Sequence, residues 1–121
     1  MAAQLFLLTG YGIGREALMD AESLEVSMRA IVSIVEMHMV TEPLVFCGRK
    51  GSQWGEGISI LIGIEESHLS LHALADEGKF YFELFSCKPF DGLGLASLIK
   101  LFFDPVECRW QMIDMEDVGD G

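Results

Sequence analysis

The chain lacks several things whose absence narrows its function. No apolar run approaches the ~18 residues needed to span a bilayer, and the longest such stretch, Ile58 to Ile64, has the length of a strand. Only 8 lysines and arginines stand against 19 aspartates and glutamates, for a net charge of −11. A basic footprint for nucleic acid is therefore missing. The three cysteines, Cys47, Cys87 and Cys108, have no C-x-x-C spacing, which excludes the usual zinc patterns, and no metal site is expected. Their odd number, with no basic region in Met1-Ala-Ala-Gln4 to start a signal peptide, points to free thiols in the cytoplasm. Repeats, linkers and low-complexity stretches are absent as well, so residues 1–121 read as a single domain able to bury a core unaided.

Hydrophobic residues, by contrast, make up half the chain, and the mean hydropathy is +0.34. In so small a domain this implies a sheet covered on both faces or a subunit interface. The negative charge serves solubility, and it also suits a cationic small molecule.

Hydrophobic periodicity gives the elements. Gln4 to Thr9 reads as a strand, broken by Gly10, Gly12 and Gly14. Leu18, Leu24, Met28, Ile31, Val35 and Met39 recur at helical spacing and predict one helix from Arg15 to about His38. Leu44 to Cys47 and Gly57 to Ile64 read as strands. Ser67 to Ala73 alternates, with His68, Ser70 and His72 on one face and Leu69, Leu71 and Ala73 on the other. Lys79 to Cys87 alternates in the same way. Asp91 is placed to cap a helix from Gly92 to Phe103, and Val106 to Ile113 is a last strand. The expected fold class is α+β, a two-layer sandwich of a mostly antiparallel sheet with helices on one face.

Chemistry concentrates around residue 67. Ser67 follows Glu65 and Glu66 at a strand-to-strand junction, with Ser59 on the strand before it, His72 just after it and Cys87 on a neighbouring strand. A hydroxyl, an imidazole and a thiol converging at one end of the sheet would supply a nucleophile, a base and a proton donor. Serine and histidine alternating with leucine also describes any half-exposed strand. The two adjacent glutamates should face opposite sides and form no catalytic couple. Gly12-Ile-Gly14-Arg-Glu-Ala17 has the form of a dinucleotide fingerprint but lacks the βαβ context, and reads as a turn. His38 reads as a helix-end or exposed histidine, and Cys47 and Cys108 as structural.

The segment Glu66-Ser67-His68-Leu69-Ser70-Leu71-His72 resembles the processing site of prokaryotic S-adenosylmethionine decarboxylases. Ser59 stands eight residues before Ser67, His72 five after it, and Cys87, in Phe85-Ser86-Cys87, twenty after it, as in that family. Gly78 sits where the family has a turn glycine. The resemblance runs from about Leu5 to Ile113 and is faint before Gly57. It implies a proenzyme that cleaves itself between Glu66 and Ser67 into a β chain of residues 1–66 and an α chain of residues 67–121. The cofactor would be a pyruvoyl group derived from Ser67, which forms a Schiff base with the substrate amine and drives its decarboxylation for polyamine (spermidine) biosynthesis. His72 and Ser59 would assist processing, Cys87 would return a proton to the substrate, and the enzyme would act as a homo-oligomer, a dimer or larger.

Departures fall on substrate recognition. Where the family has Thr-Trp/Tyr-Pro-Glu after the second histidine, this chain has Ala73-Leu74-Ala75-Asp76. Asp76 keeps the charge on a shorter arm. Trp54 is the nearest candidate for the aromatic that stacks on adenine, one residue out of place. The substrate expected from the resemblance is S-adenosylmethionine. The alternatives are another amino acid, such as ornithine or arginine, and a relative that no longer processes and acts as a binding or regulatory protein.

Overall fold

The computed structural model describes residues 3–49, 51–53 and 55–117. Six strands form one antiparallel sheet: β1 (Gln4–Tyr11), β2 (Leu44–Cys47), β3 (Ile58–Ile64), β4 (Ser67–Leu74), β5 (Lys79–Ser86) and β6 (Glu107–Asp114). Their spatial order is β2-β3-β4-β5-β1-β6. The helices are α1 (Arg15–Leu18), α2 (Ala21–Ile34) and α3 (Gly92–Phe103), with a 3₁₀ turn at Ala75–Glu77. This is the expected α+β class. Among the described residues, no helix is long and apolar enough to cross a membrane.

Strand alternation decides where the core lies. Phe6 and Leu8, Ile60 and Ile62, Leu69 and Leu71, and Phe80, Phe82 and Leu84 all point to one face. There they join Leu24, Met28 and Ile31 of α2 and Leu95, Ala96 and Ile99 of α3 in one cluster. Residues one position out of step line the opposite, helix-free face. Leu44, Phe46, Leu61 and Tyr81 remain exposed there at 58, 45, 38 and 41%.

Two expectations about the first third of the chain are corrected. The single helix from Arg15 to His38 is two helices, interrupted at Met19 and Asp20. Asp20 restarts the helix as an N-cap, its carboxylate accepting from the Ser23 N–H at 3.1 Å and the Ser23 hydroxyl at 2.7 Å. α2 then stops at Ile34, and Glu36 follows with φ of 60°. His38 therefore lies in the connection to β2 rather than on the helix. Gly10, expected to break β1, is inside it, paired with Phe80. It is glycine because of the packing there: a Cβ would sit 2.3 Å from the Phe80 ring. Asp91 caps α3 as expected, accepting from the Gly94 N–H at 3.0 Å.

Candidate active site

β3 and β4 form a hairpin in which Ile64 pairs with Ser67, leaving Glu65 and Glu66 as a two-residue loop. Such loops normally take positive φ within the loop itself, which is why Asn-Gly is favoured there. Neither glutamate has positive φ; Ser67, the next residue, does, at 153°. That backbone region is nearly reserved for glycine, so the strain of a tight Glu-Glu turn falls on the serine.

The peptide group before Ser67 is held from several directions. The Glu66 carbonyl accepts a hydrogen bond from the Cys87 N–H at 3.0 Å. The Ser67 hydroxyl lies 3.6 Å from the Cys87 thiol. Cys87 owes its place to the turn that follows β5. The buried Ser86 hydroxyl donates to the Lys88 carbonyl at 2.8 Å and accepts from its N–H at 2.9 Å. The Lys88 ammonium then donates to the Glu36 carbonyl at 2.9 Å.

His38 is a residue the sequence reading did not assign to the site. Its N–H donates to Glu66 Oε1 at 3.0 Å, and its ring Nδ1 lies 3.0 Å from Glu66 Oε2. These bonds, the ring's first and the backbone's second, hold the Glu66 carboxyl below its ordinary range against the opposing effect of burial. The Glu65 carboxylate approaches the same ring at 3.9 Å. The two glutamates, expected to diverge, therefore share a partner, because they sit on a turn rather than in a strand. His38, Glu65 and Glu66 bring three ligand-type atoms within 4.8 Å of one another. The His38–Glu66 hydrogen bonds account for most of this proximity. No sequence signal marks His38, since its contact with Glu66 spans 28 residues and exists only once α2 has turned back onto the sheet.

Ser59 and His72 form a second pair, opposite each other on β3 and β4, with Ser59 Oγ 2.9 Å from His72 Nδ1. They line a shallow cleft of about 300 Å³ with Phe46 and Tyr81. This pair does not meet Ser67. His72 is five residues further along β4, about 16 Å at the usual strand rise. The four residues expected to converge are thus two pairs at two ends of one strand. Asp76 lies beyond the His72 end and is ion-paired with Arg15. It lines a cavity of about 490 Å³ together with Glu56, Glu77 and Gly57, a negative opening suited to a cation. Trp54 lies outside the described residues.

Comparison with known proteins adds three findings. Residues 4–115 match the family model described as S-adenosylmethionine decarboxylase. The fold superposes on the crystal structure of the adenosylmethionine decarboxylase from Aquifex aeolicus VF5 with a TM-score of 0.78, covering 99% of this chain and 98% of that one at 14% identity. Comparison with curated protein sequences gives no match.

Proposed function

Because the chain belongs to the S-adenosylmethionine decarboxylase family, we propose that it is a self-processing decarboxylase of S-adenosylmethionine whose peptide bond between Glu66 and Ser67 is the one that breaks. The observation that carries this reading is the combination at that bond of a strained serine and a carbonyl already bound by an N–H donor. The Ser67 hydroxyl attacks the Glu66 carbonyl carbon. The O–C bond forms, the C–N bond breaks and the freed amine takes up a proton. The Cys87 N–H is aimed at the oxygen on which negative charge develops, which is the role of an oxyanion donor. Extending the chain at residue 67 relieves backbone strain of roughly 1–3 kcal/mol, which favours the ester over the amide. Loss of the Ser67 α-proton with cleavage of the Cβ–Oγ bond then frees the Glu66 carboxylate, and hydrolysis of the resulting dehydroalanine releases ammonia. The products are residues 1–66 and residues 67–121, the second beginning with a pyruvoyl group.

Residue 67 fits that group, because its side chain already lies beside a thiol that can give up a proton. When present, the pyruvoyl carbonyl supplies an electron sink for loss of the substrate carboxylate. Cys87 returns a proton to the substrate α-carbon. Asp76 and the acidic cavity around it draw in the cationic substrate, and Trp54 contributes an aromatic surface for adenine.

His72 and Ser59 are too far from Ser67 to serve it within one chain. A second copy laid on the helix-free face, on a two-fold axis crossing the middle of β4, would bring each chain's Ser59–His72 pair toward the other's Ser67–Cys87 pair. The exposed Leu44, Phe46, Leu61 and Tyr81 on that face support this. The enzyme on this reading is a cytoplasmic homodimer that serves spermidine synthesis.

The Arg15–Asp76 pair favours a second reading. The Arg15 guanidinium already occupies one oxygen of the Asp76 carboxylate, which weakens it as a partner for a ribose hydroxyl, so an amino acid without a ribose, such as ornithine or arginine, is the alternative substrate. Release of labelled CO₂ from carboxyl-labelled S-adenosylmethionine, ornithine and arginine decides between the two, with the Ser67→Ala chain as control. Release from S-adenosylmethionine alone supports the first reading. Release from another of the three supports the second, and release from none makes the chain a binding relative.

A further inference from the structure

We propose that His38 is a positioning residue for the cleavage at Glu66–Ser67, holding the Glu66 side chain so that its carbonyl stays in line with the Ser67 hydroxyl. This rests on the self-processing reading above and adds to it the element that orients the bond to be broken.

The tip of a two-residue hairpin is ordinarily a mobile place, yet this one is clamped. The connection from α2 to β2 runs alongside residues 63–66 and holds them at successive positions. The Val40 N–H donates to the Gly63 carbonyl at 2.9 Å, and the Gly63 N–H donates to the Thr41 hydroxyl at 2.9 Å. Met39 bridges to Ile64. The Glu65 N–H donates to the His38 carbonyl at 2.8 Å. Glu66 is then gripped at both ends: its carboxylate by the His38 N–H and ring, and its carbonyl by the Cys87 N–H. The carboxylate is almost covered, at 11% side-chain exposure, while the His38 ring is 66% exposed. A carboxylate accepts and cannot donate, so the ring nitrogen facing it carries a proton.

Fixing both ends of residue 66 removes its freedom to swing the carbonyl away from Ser67. Attack by a neighbouring hydroxyl depends steeply on such alignment, and a misplacement of about 1 Å costs up to ~100-fold in rate. The ring acts only through Glu66 and touches neither the attacking oxygen nor the carbonyl. The Glu65 carboxylate also approaches the ring, at 3.9 Å, and the Lys88 ammonium on the turn after β5 is taken by the Glu36 carbonyl.

The test follows appearance of the 67–121 fragment in freshly made protein. His38→Ala keeps the backbone bonds to Glu65 and Glu66 and removes only the ring. It should slow fragment formation by roughly 10- to 100-fold with only a modest fall in the thermal midpoint, since the His38 N–H still donates to the Glu66 carboxylate. His38→Asn, whose amide can donate to the same carboxylate, should recover most of the rate. Glu66→Ala should be slow as well, and the double variant no slower than Glu66→Ala alone, since His38 acts through that side chain. His38→Ala at the wild-type rate, or additive losses in the double variant, would overturn the role of His38 and leave self-processing intact. A wild-type chain that never breaks would overturn both.

Discussion

Replacing Ser67 by glycine and, separately, by alanine isolates the backbone strain at residue 67. Both chains lack the hydroxyl, so on the proposed chemistry neither breaks and both unfold as whole chains. Alanine must hold the φ of 153° that the Glu65-Glu66 turn imposes, whereas glycine adopts it freely. A residue with a Cβ in that region costs roughly 1–3 kcal/mol. Against this, glycine loses more freedom on folding, about 0.5–1 kcal/mol relative to alanine. The glycine chain should therefore be the more stable, by up to roughly 2.5 kcal/mol, a rise in melting temperature of up to about 10 °C in a domain this size. Urea titration with an unchanged slope and a shifted midpoint is the assay. A glycine chain that unfolds at lower urea than the alanine chain would show that Ser67 stores no strain, and the driving force assigned to cleavage would have to come from elsewhere.

Gly10→Ala should destabilise the fold by about 1–3 kcal/mol, because its Cβ meets the Phe80 ring in the middle of the core; thermal melting reads this directly. Mixing denatured Ser67→Ala and His72→Ala chains and refolding them should restore about a quarter of wild-type decarboxylation, since half the dimers are mixed and each holds one intact site. Activity no greater than the two parents would mean that each chain builds its own site. The pH dependence of stability follows from Glu66, whose carboxyl is held below the ordinary glutamate value of 4.5. Its contribution is full above that value and disappears as pH falls through the lower folded-state value. In the Ser67→Ala background, Glu66→Gln should be the less stable chain at neutral pH and the gap should close in acid; a constant gap would dissociate the carboxylate from the effect.

The sheet was legible in the sequence because period-two alternation is written plainly in Ser67 to Ala73 and Lys79 to Cys87, and burial follows it. α3 was legible because Asp91 announces its start. The break between α1 and α2 left two signs in the sequence: the six-residue step from Leu18 to Leu24, which is out of helical phase, and Asp20 followed three residues later by Ser23. Gly10 misled because a glycine in a strand and a glycine in a turn look alike until Phe80 is seen against it. Sequence spacing singled out Ser59, Ser67, His72 and Cys87 but not their partition into two pairs, which follows from the strand rise over the five positions from residue 67 to residue 72. His38 was illegible because a long-range contact to Glu66 leaves no local pattern.

The central claim, that the chain breaks itself between Glu66 and Ser67, is tested most directly by the intact mass of the purified protein under denaturing conditions. The account predicts two fragments, residues 1–66 with a free carboxylate and residues 67–121 beginning with a pyruvoyl group, and a whole chain for Ser67→Ala. A single unbroken wild-type chain after prolonged incubation would contradict it, and would leave the Ser67–Cys87 and Ser59–His72 pairs as features of a family member that does not process.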